Sequence, residues 1–201
     1  MEKGARSWQI FVNFFLRGAQ CRDLSHFFER STLGGARTVK MDLLRQFFES
    51  LDFSEVETFI ASGNVVFKTR TKDSKTLERK IEKRLLKGLG YDVAVFIRTG
   101  AELIEIANYK PFRESKMDTL TACNIVFLAD ALDKNLTQKV LALGSGTDEF
   151  RVYGRQIYWL RRRRQGVPFS TVPLEKALGR PFTVRACNTI ERIVAKYYAA
   201  D

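Results

Sequence analysis

Residues 56–69 read VETFIASGNVVFKT, two apolar runs separated by Ser62-Gly63-Asn64. The runs 56–61 and 65–69 are rich in β-branched and aromatic residues, which is typical of strands. Gly63-Asn64 can supply the positive φ angles of a tight two-residue turn. The stretch therefore predicts a β-hairpin.

The segments on either side of this hairpin predict one strand and one helix before it and one helix and one strand after it. Residues 9–17 form a short apolar run that ends at a glycine, as a buried strand does. Residues 40–52 and 74–89 carry apolar residues at helical spacing, and residues 92–98 read as a strand. The resulting βαββαβ order is that of the split βαβ, or ferredoxin-like, fold.

Local signals support the helices. In the helix at 74–89, Glu78 and Glu82 stand beside Lys and Arg residues, where intrahelical pairs support a helix. A further helix is expected after Thr99, because Glu102 follows at the spacing of a capping box.

A second set of elements follows from about residue 121. It comprises a strand at 122–129, a helix at 133–143, a hairpin around Gly154, a short helix at 173–178, a brief strand at 182–184 and a final helix capped by Asn188. The sequence thus predicts an α+β protein with two ferredoxin-like subdomains in tandem and a C-terminal helix. We expect the first subdomain and its following helix at 8–112, and the second, less regular one at 121–200.

The chain is strongly basic, and the charge is unevenly distributed. The net charge is +11, with 34 Lys and Arg against 23 Asp and Glu. Residues 151–201 hold eleven of the basic residues and only three acidic ones. Such a segment either meets an anionic partner or is a solvated face of a basic protein.

Cysteine and histidine usage argues against disulfide and metal chemistry. Cys21, Cys123 and Cys187 are odd in number and far apart, and His26 is the only histidine. We therefore expect no disulfide framework, no metal site and no cofactor, and a reducing, cytoplasmic location. The apolar run at 8–16 is too short to cross a bilayer, so no membrane partner is expected.

Several short motifs resemble those of the bacterial family known as domain of unknown function 1697. They are Leu16-Arg17-Gly18, Leu33-Gly34-Gly35, Val39-Lys40-Met41, Ser62-Gly63-Asn64-Val65-Val66-Phe67 and Thr183-x-Arg185. The resemblance covers nearly the whole chain and is most specific between Gly34 and Phe67. It implies two ferredoxin-like subdomains, in agreement with the pattern above, and it implies no biochemical activity.

The sequence departs from the family pattern at two places. About twelve residues, 19–30, are inserted between Gly18 and the Gly-Gly loop, and they fit a lid, an appended helix or a gene-prediction artefact. Near the C-terminus, Ala186-Cys187 stands where the family usually has Asn-Trp.

A candidate site follows from the expected topology. In a ferredoxin-like sheet the end of the first strand lies beside the turn between the second and third strands. This brings together Arg17, Gly18, Gly34, Gly35, Ser62, Gly63 and Asn64, with Arg185 as an additional cation. Glycine amides, an arginine and polar side chains suit a phosphate or carboxylate. The alternative is that the glycines only shape turns and the polar side chains only cap backbone groups.

Two other functions stay open at this point. Arg161, Arg162, Arg163 and Arg164 follow Tyr158 and Trp159, which suggests nonspecific nucleic-acid binding, although no RNP1 motif is present. The aromatic residues also fit core packing.

An enzyme acting on a phosphorylated or nucleotide-like substrate is the other alternative, but no catalytic motif is found. The sequence does not define an oligomeric state.

Overall fold

The first sheet is built around the hairpin of residues 54–69. The computed structural model describes residues 7–12, 15–16, 39–59, 63–113, 121–162 and 169–198. Within these ranges the first elements are β1 (Ser7–Val12), β2 (Phe15–Leu16), α1 (Met41–Glu49), β3 (Ser54–Phe59), β4 (Asn64–Thr69), α2 (Ser74–Leu89), β5 (Val93–Ala94) and β6 (Ile97–Thr99). Four of these strands form an antiparallel sheet in the order β3-β4-β1-β6.

The hairpin is confirmed, but its turn differs from the prediction. Asn64 is the first residue of β4 and pairs with Phe59, so the two strands are joined by four residues rather than two. Of Gly63 and Asn64, the two residues expected to supply positive φ angles, Gly63 alone does so, with a φ of 76°. A glycine is favoured there because an L side chain is strained in the left-handed region.

The strand predicted at 9–17 is divided. Its first part, β1, pairs with β4 and β6, whereas β2 pairs with β5 as a separate two-stranded ladder. The strand predicted at 92–98 is likewise divided into β5 and β6. An uninterrupted apolar run does not show where pairing changes, because both pieces are equally apolar.

The second half repeats the arrangement of the first. Its elements are α3 (Gly100–Asn108), β7 (Thr121–Phe127), α4 (Lys134–Leu141), β8 (Asp148–Tyr153), β9 (Gln156–Arg162), α5 (Val172–Leu178), β10 (Thr183–Ala186) and α6 (Cys187–Tyr197). The sheet order is β10-β7-β9-β8, with antiparallel neighbours. Both sheets thus place the first strand of their half next to the last.

Three apolar clusters hold these layers together. One lies between the first sheet and helices α1 and α2, and another lies between the second sheet and helices α4 and α5. The third joins both sheets through α3 and α6. Strand β9 shows the period of two: Tyr158 and Leu160 face the central cluster, whereas Ile157 and Trp159 face the outer one. This confirms the packing interpretation of these side chains.

The ends of α3 and α6 pack closely in the centre. The capping box predicted at Thr99 and Glu102 is present at the start of α3. A methyl group on Gly100 would overlap the ring of Tyr198, so the close approach requires a glycine. The cap predicted for α6 is wrong, because Asn188 lies within its first turn and Ala186 is the residue at the N-cap.

The expectation about cysteines is also wrong. Cys123 and Cys187 form a disulfide, with Cα atoms 5.5 Å apart. Ala186 pairs with Asn124 in the β10–β7 ladder, so the cysteines stand at the next position of that ladder. Sequence spacing did not reveal the bond because 64 residues separate its ends, and only the fold brings them together.

The α+β class is confirmed by these helices and sheets. The ferredoxin-like designation of each half and the proposed domain limits stay predictions. In the part of the chain described above, no helix is long and apolar enough to cross a membrane.

Candidate functional site

Three of the eight candidate residues lie in the described part of the chain: Gly63, Asn64 and Arg185. The structure brings Asn64 and Arg185 into direct contact, although 121 residues separate them. Arg17, Gly18, Gly34, Gly35 and Ser62 lie outside the described residues, as does the insertion at 19–30.

Asn64 is fixed by the hairpin that contains it. It follows Gly63 and pairs with Phe59 on one side and with Val12 on the other. The carboxyl end of β1, at Val12, therefore lies beside the turn, whereas the site hypothesis placed Arg17 there, a residue outside the described part of the chain. The side chain of Asn64 is fully buried, and its Nδ2 donates to the carbonyl oxygen of Phe59 over 3.2 Å. This bond points the amide oxygen away from Phe59, toward the second half.

Arg185 comes from β10, at the position paired with Ile125. Its Nε donates to Oδ1 of Asn64 over 2.9 Å. One terminal nitrogen, Nη1, donates to Oγ1 of Thr183 over 3.3 Å and to the carbonyl oxygen of Val184. The side chain is 7% exposed, and burial lowers the pKa of Arg185 to about 9. The guanidinium still carries its charge at neutral pH, because pH 7 lies below that pKa.

Helix α6 begins two residues after Arg185. Its N-cap residue, Ala186, makes no side-chain hydrogen bond to the first turn. The amides of a first helical turn favour negative charge. A buried cation and an oriented amide thus lie together, and a helix begins two residues further along the chain, which is chemistry suited to an anion.

The C-terminal helix is attached to the first sheet beside this site. Lys196 Nζ and Tyr197 Oη both donate to Oε2 of Glu57, over 2.8 and 2.7 Å. The hydrogen bonds from Lys196 and Tyr197 lower the pKa of Glu57. The guanidinium of Arg192 lies 5.4 Å from the centre of the Phe59 ring. Helix α6 thus links β3 of the first half to β10 of the second.

A second buried arginine, Arg98, was not predicted as functional. It is completely buried, and Nη2 donates to the carbonyl oxygens of Leu128 over 2.8 Å and of Arg155 over 3.1 Å. Arg155 in turn binds Glu102 over 2.5 Å. Burial lowers the pKa of Arg98 to about 10, as does the neighbouring charge of Arg155. The only sequence signal was an arginine at the end of an apolar strand, and its acceptors are backbone groups that any residue supplies.

The two aromatic residues that precede the basic run, Tyr158 and Trp159, are buried. Tyr158 is 1% exposed and Trp159 is 4% exposed, so their rings are not available for base stacking. The guanidinium of Arg161 lies 5.2 Å from the centre of the Phe169 ring. Arg163 and Arg164 lie outside the described residues.

Among the residues that the structure describes, no group of three or more His, Cys, Asp or Glu side chains could hold a metal ion.

Comparison with known proteins identifies a family. A protein-family model described as "Protein of unknown function (DUF1697)" matches residues 31–158. Gly34, Gly35, Ser62, Gly63 and Asn64 fall within this match, whereas Arg185 falls beyond it. The curated proteins give no match.

One similar solved structure is the conserved bacterial protein SP0830 from Streptococcus pneumoniae. It is 18% identical, with a TM-score of 0.65, and the match covers 97% of this chain and 100% of that one. The likeness extends over both sheets and supports the α+β fold.

Proposed function

We propose that this chain, which belongs to the family described as "Protein of unknown function (DUF1697)", binds a small anion beside Gly63, Asn64 and Arg185. The anion carries a phosphate or a carboxylate group. The observation that carries the proposal is the hydrogen bond between the buried guanidinium of Arg185 and the side chain of Asn64.

Burial makes this guanidinium an effective anion receptor. In a desolvated site the attraction between opposite charges is several times stronger than in water. Burial removes water from the charged guanidinium, which costs free energy and lowers the pKa of Arg185. A bound anion offsets part of that cost. An incoming oxyanion therefore gains more here than at an exposed arginine.

The hydrogen bonds of Asn64 keep the guanidinium in place. The amide donates to Phe59 and accepts from Arg185, so it cannot rotate without losing both bonds. A fixed cation costs little side-chain entropy when a ligand binds. Asn64 is thus a positioning residue in this proposal, and Arg185 is the binding residue.

Calorimetric titration with inorganic phosphate, pyrophosphate, a nucleoside monophosphate and citrate tests the proposal. We expect at least one of these anions to bind, and binding to weaken by about tenfold or more in Arg185→Gln, because a charge-assisted hydrogen bond contributes about 1.5–3 kcal/mol. The control is Arg98→Gln, which also removes a buried arginine but should leave the affinity unchanged if it folds.

A second variant guards against loss of folding. Asn64→Asp keeps the side-chain shape and places an internal carboxylate against Arg185. That carboxylate competes with an external anion, so affinity should fall even though the fold is retained, as measured by circular dichroism. Absence of binding to the native protein, or native affinity in both Arg185→Gln and Asn64→Asp, would refute the proposal. Turnover of a bound phosphoester would show that the site is catalytic.

A further inference from the structure

Helix α2 carries a row of exposed, positively charged side chains. The helix contains six Lys and Arg residues and two Glu residues, so its composition allows several intrahelical ion pairs. The structure uses the two carboxylates differently. Glu78 accepts from the backbone N–H of Ile97 over 2.9 Å, and Glu82 accepts from that of Val95 over 3.0 Å. Both carboxylates are therefore directed to residues 95–97 at the sheet, and Glu78 also lies 3.8 Å from Lys75 in the first turn of the helix.

Arg79, Lys83 and Lys87 remain on the solvent side, and we call them the basic row. All three are exposed. They are spaced four residues apart, so they follow one line along the helix with about 6 Å between successive positions. Like charges at this spacing destabilise a helix. A glutamate within the row would stabilise an isolated helix. A role in binding an anionic partner accounts for the uniform charge of the row.

A cleft continues this surface toward the first sheet. It has a volume of about 330 Å³, and its lining includes Lys68, Arg70 and Lys80. Lys80 is held at the rim, where Nζ donates to the carbonyl oxygen of Leu51 over 2.9 Å. Arg70 is exposed. Asp52 also lines the cleft, and Lys68 is paired with Glu55 over 2.6 Å. Arg70 and Lys80 are therefore the cleft residues that extend the positive surface of the basic row.

We infer that this surface of α2 binds the phosphate backbone of nucleic acid, without reading its sequence. A polyphosphate chain offers regularly spaced negative charges, which match a row of cations on a rigid helix. The inference is independent of the anion site beside Arg185.

Two other partners fit less well. A membrane-surface helix inserts its apolar face into the bilayer, but Leu77, Ile81 and Leu85 of α2 are buried in the core. A protein interface has an apolar or aromatic centre and is poor in Lys. Leu86, 44% exposed, is the only large apolar side chain exposed on the described helix. The surface therefore favours a phosphate backbone.

The test is fluorescence anisotropy with a labelled DNA duplex and with a single-stranded RNA of the same length, over about 50–200 mM salt. We compare the native chain with a triple variant of the basic row, Arg79→Gln, Lys83→Gln and Lys87→Gln. Glutamine has a helix propensity similar to that of lysine, so α2 should remain folded. Removing three phosphate contacts should reduce the slope of log affinity against log salt by about 2.7 for the duplex.

The matched control carries the same charge change on the outer helices of the second half, as Lys134→Gln, Lys139→Gln and Lys176→Gln. All three lysines are exposed. We expect this control to retain most of the affinity and the native salt slope. Three results would overturn the inference: equal losses in both triple variants, loss only on substitution of the four arginines at 161–164, or binding to phosphatidylserine vesicles without binding to either nucleic acid.

Discussion

Arg98 and Arg185 are two buried arginines near the boundary between the sheets, and they are held by different kinds of partner. Arg98 donates to backbone carbonyl oxygens, among them those of Ile97 and Leu128. Arg185 donates to the side chain of Asn64 as well as to groups of its own strand. Burial lowers the pKa of both, to about 10 for Arg98 and about 9 for Arg185.

The two sets of partners constrain side-chain identity to different degrees. A carbonyl oxygen is present at every residue, so the surroundings of Arg98 place little constraint on side-chain identity. The partner of Arg185 is a particular amide, which must be an asparagine or a close substitute. We interpret Arg98 as a structural link between the halves and Arg185 as part of a binding site.

The largest expected effect on stability is that of Arg98→Ala. The change leaves the carbonyl oxygens of Leu128 and Arg155 without this donor and creates a cavity beside Phe127, whose ring centre lies 5.4 Å from the guanidinium. Each of these losses is costly in a buried site, and we expect the free energy of unfolding to fall by about 3–5 kcal/mol. Urea denaturation measures this directly.

The control for that experiment is Arg180→Ala, because Arg180 is exposed. It should change stability by less than about 0.5 kcal/mol. If Arg98→Ala cost as little as the control, Arg98 would not be a structural link, and the comparison between the two arginines would fail.

Loss of the disulfide should lower the free energy of unfolding somewhat less than Arg98→Ala does. The bond lies close to Arg185 along both strands. Cys187 follows Arg185 by two residues, and Cys123 precedes Ile125, the residue paired with Arg185, by two. The bond closes a loop of 64 residues, and such bonds contribute about 2–4 kcal/mol. Cys123→Ser should therefore lower the free energy of unfolding by that amount under oxidising conditions.

Hydrogen exchange distinguishes a local effect from a general one. Loss of the bond should speed exchange in β10 and the first turn of α6 more than in β6, which contains Arg98. Under a dithiol reductant the native chain should match the variant. Identical stabilities with and without reductant would mean that the bond does not form in solution.

The sequence predicted the elements well where the signals were local. The hairpin predicted at 56–69, the capping box at Thr99 and the turn at Gly154 depend on residues a few positions apart, and all are present. The α+β class follows from these elements. The break between β1 and β2 was missed because pairing partners, rather than composition, determine it.

The candidate site could be predicted only in part, for a related reason. The expected sheet topology places Asn64 in the site and adds Arg185 only as a further cation, because their contact depends on the packing of two sheets. The disulfide and the position of Glu78 had no local signature. Glu78 does lie 3.8 Å from its helical neighbour Lys75, but its carboxylate also accepts from the backbone N–H of Ile97, a bond that only the fold supplies.

The smallest expected effect is a pH dependence of stability. It should have opposite signs for Glu78 and Glu102, two carboxylates near Arg98. Burial raises the pKa of Glu78 above its ordinary 4.5. Burial acts in the same direction on Glu102, but the N–H of Thr99 and the guanidinium of Arg155 outweigh it and lower the pKa of Glu102. Glu78 therefore contributes stability that is complete below pH 4.5 and is lost as pH rises through its raised pKa. Glu102 contributes stability that is present above pH 4.5 and is lost as pH falls through its lowered pKa.

Urea denaturation of Glu78→Gln and Glu102→Gln between about pH 3 and pH 7 tests these opposite signs. Relative to the native chain, Glu78→Gln should become more stable as pH rises, because the amide keeps an acceptor for Ile97 and carries no buried charge. Glu102→Gln should become less stable as pH rises, because the native carboxylate then binds Arg155. Differences of the same sign in both variants would contradict the assignment, since they would mean that the pKa values of Glu78 and Glu102 are shifted in the same direction.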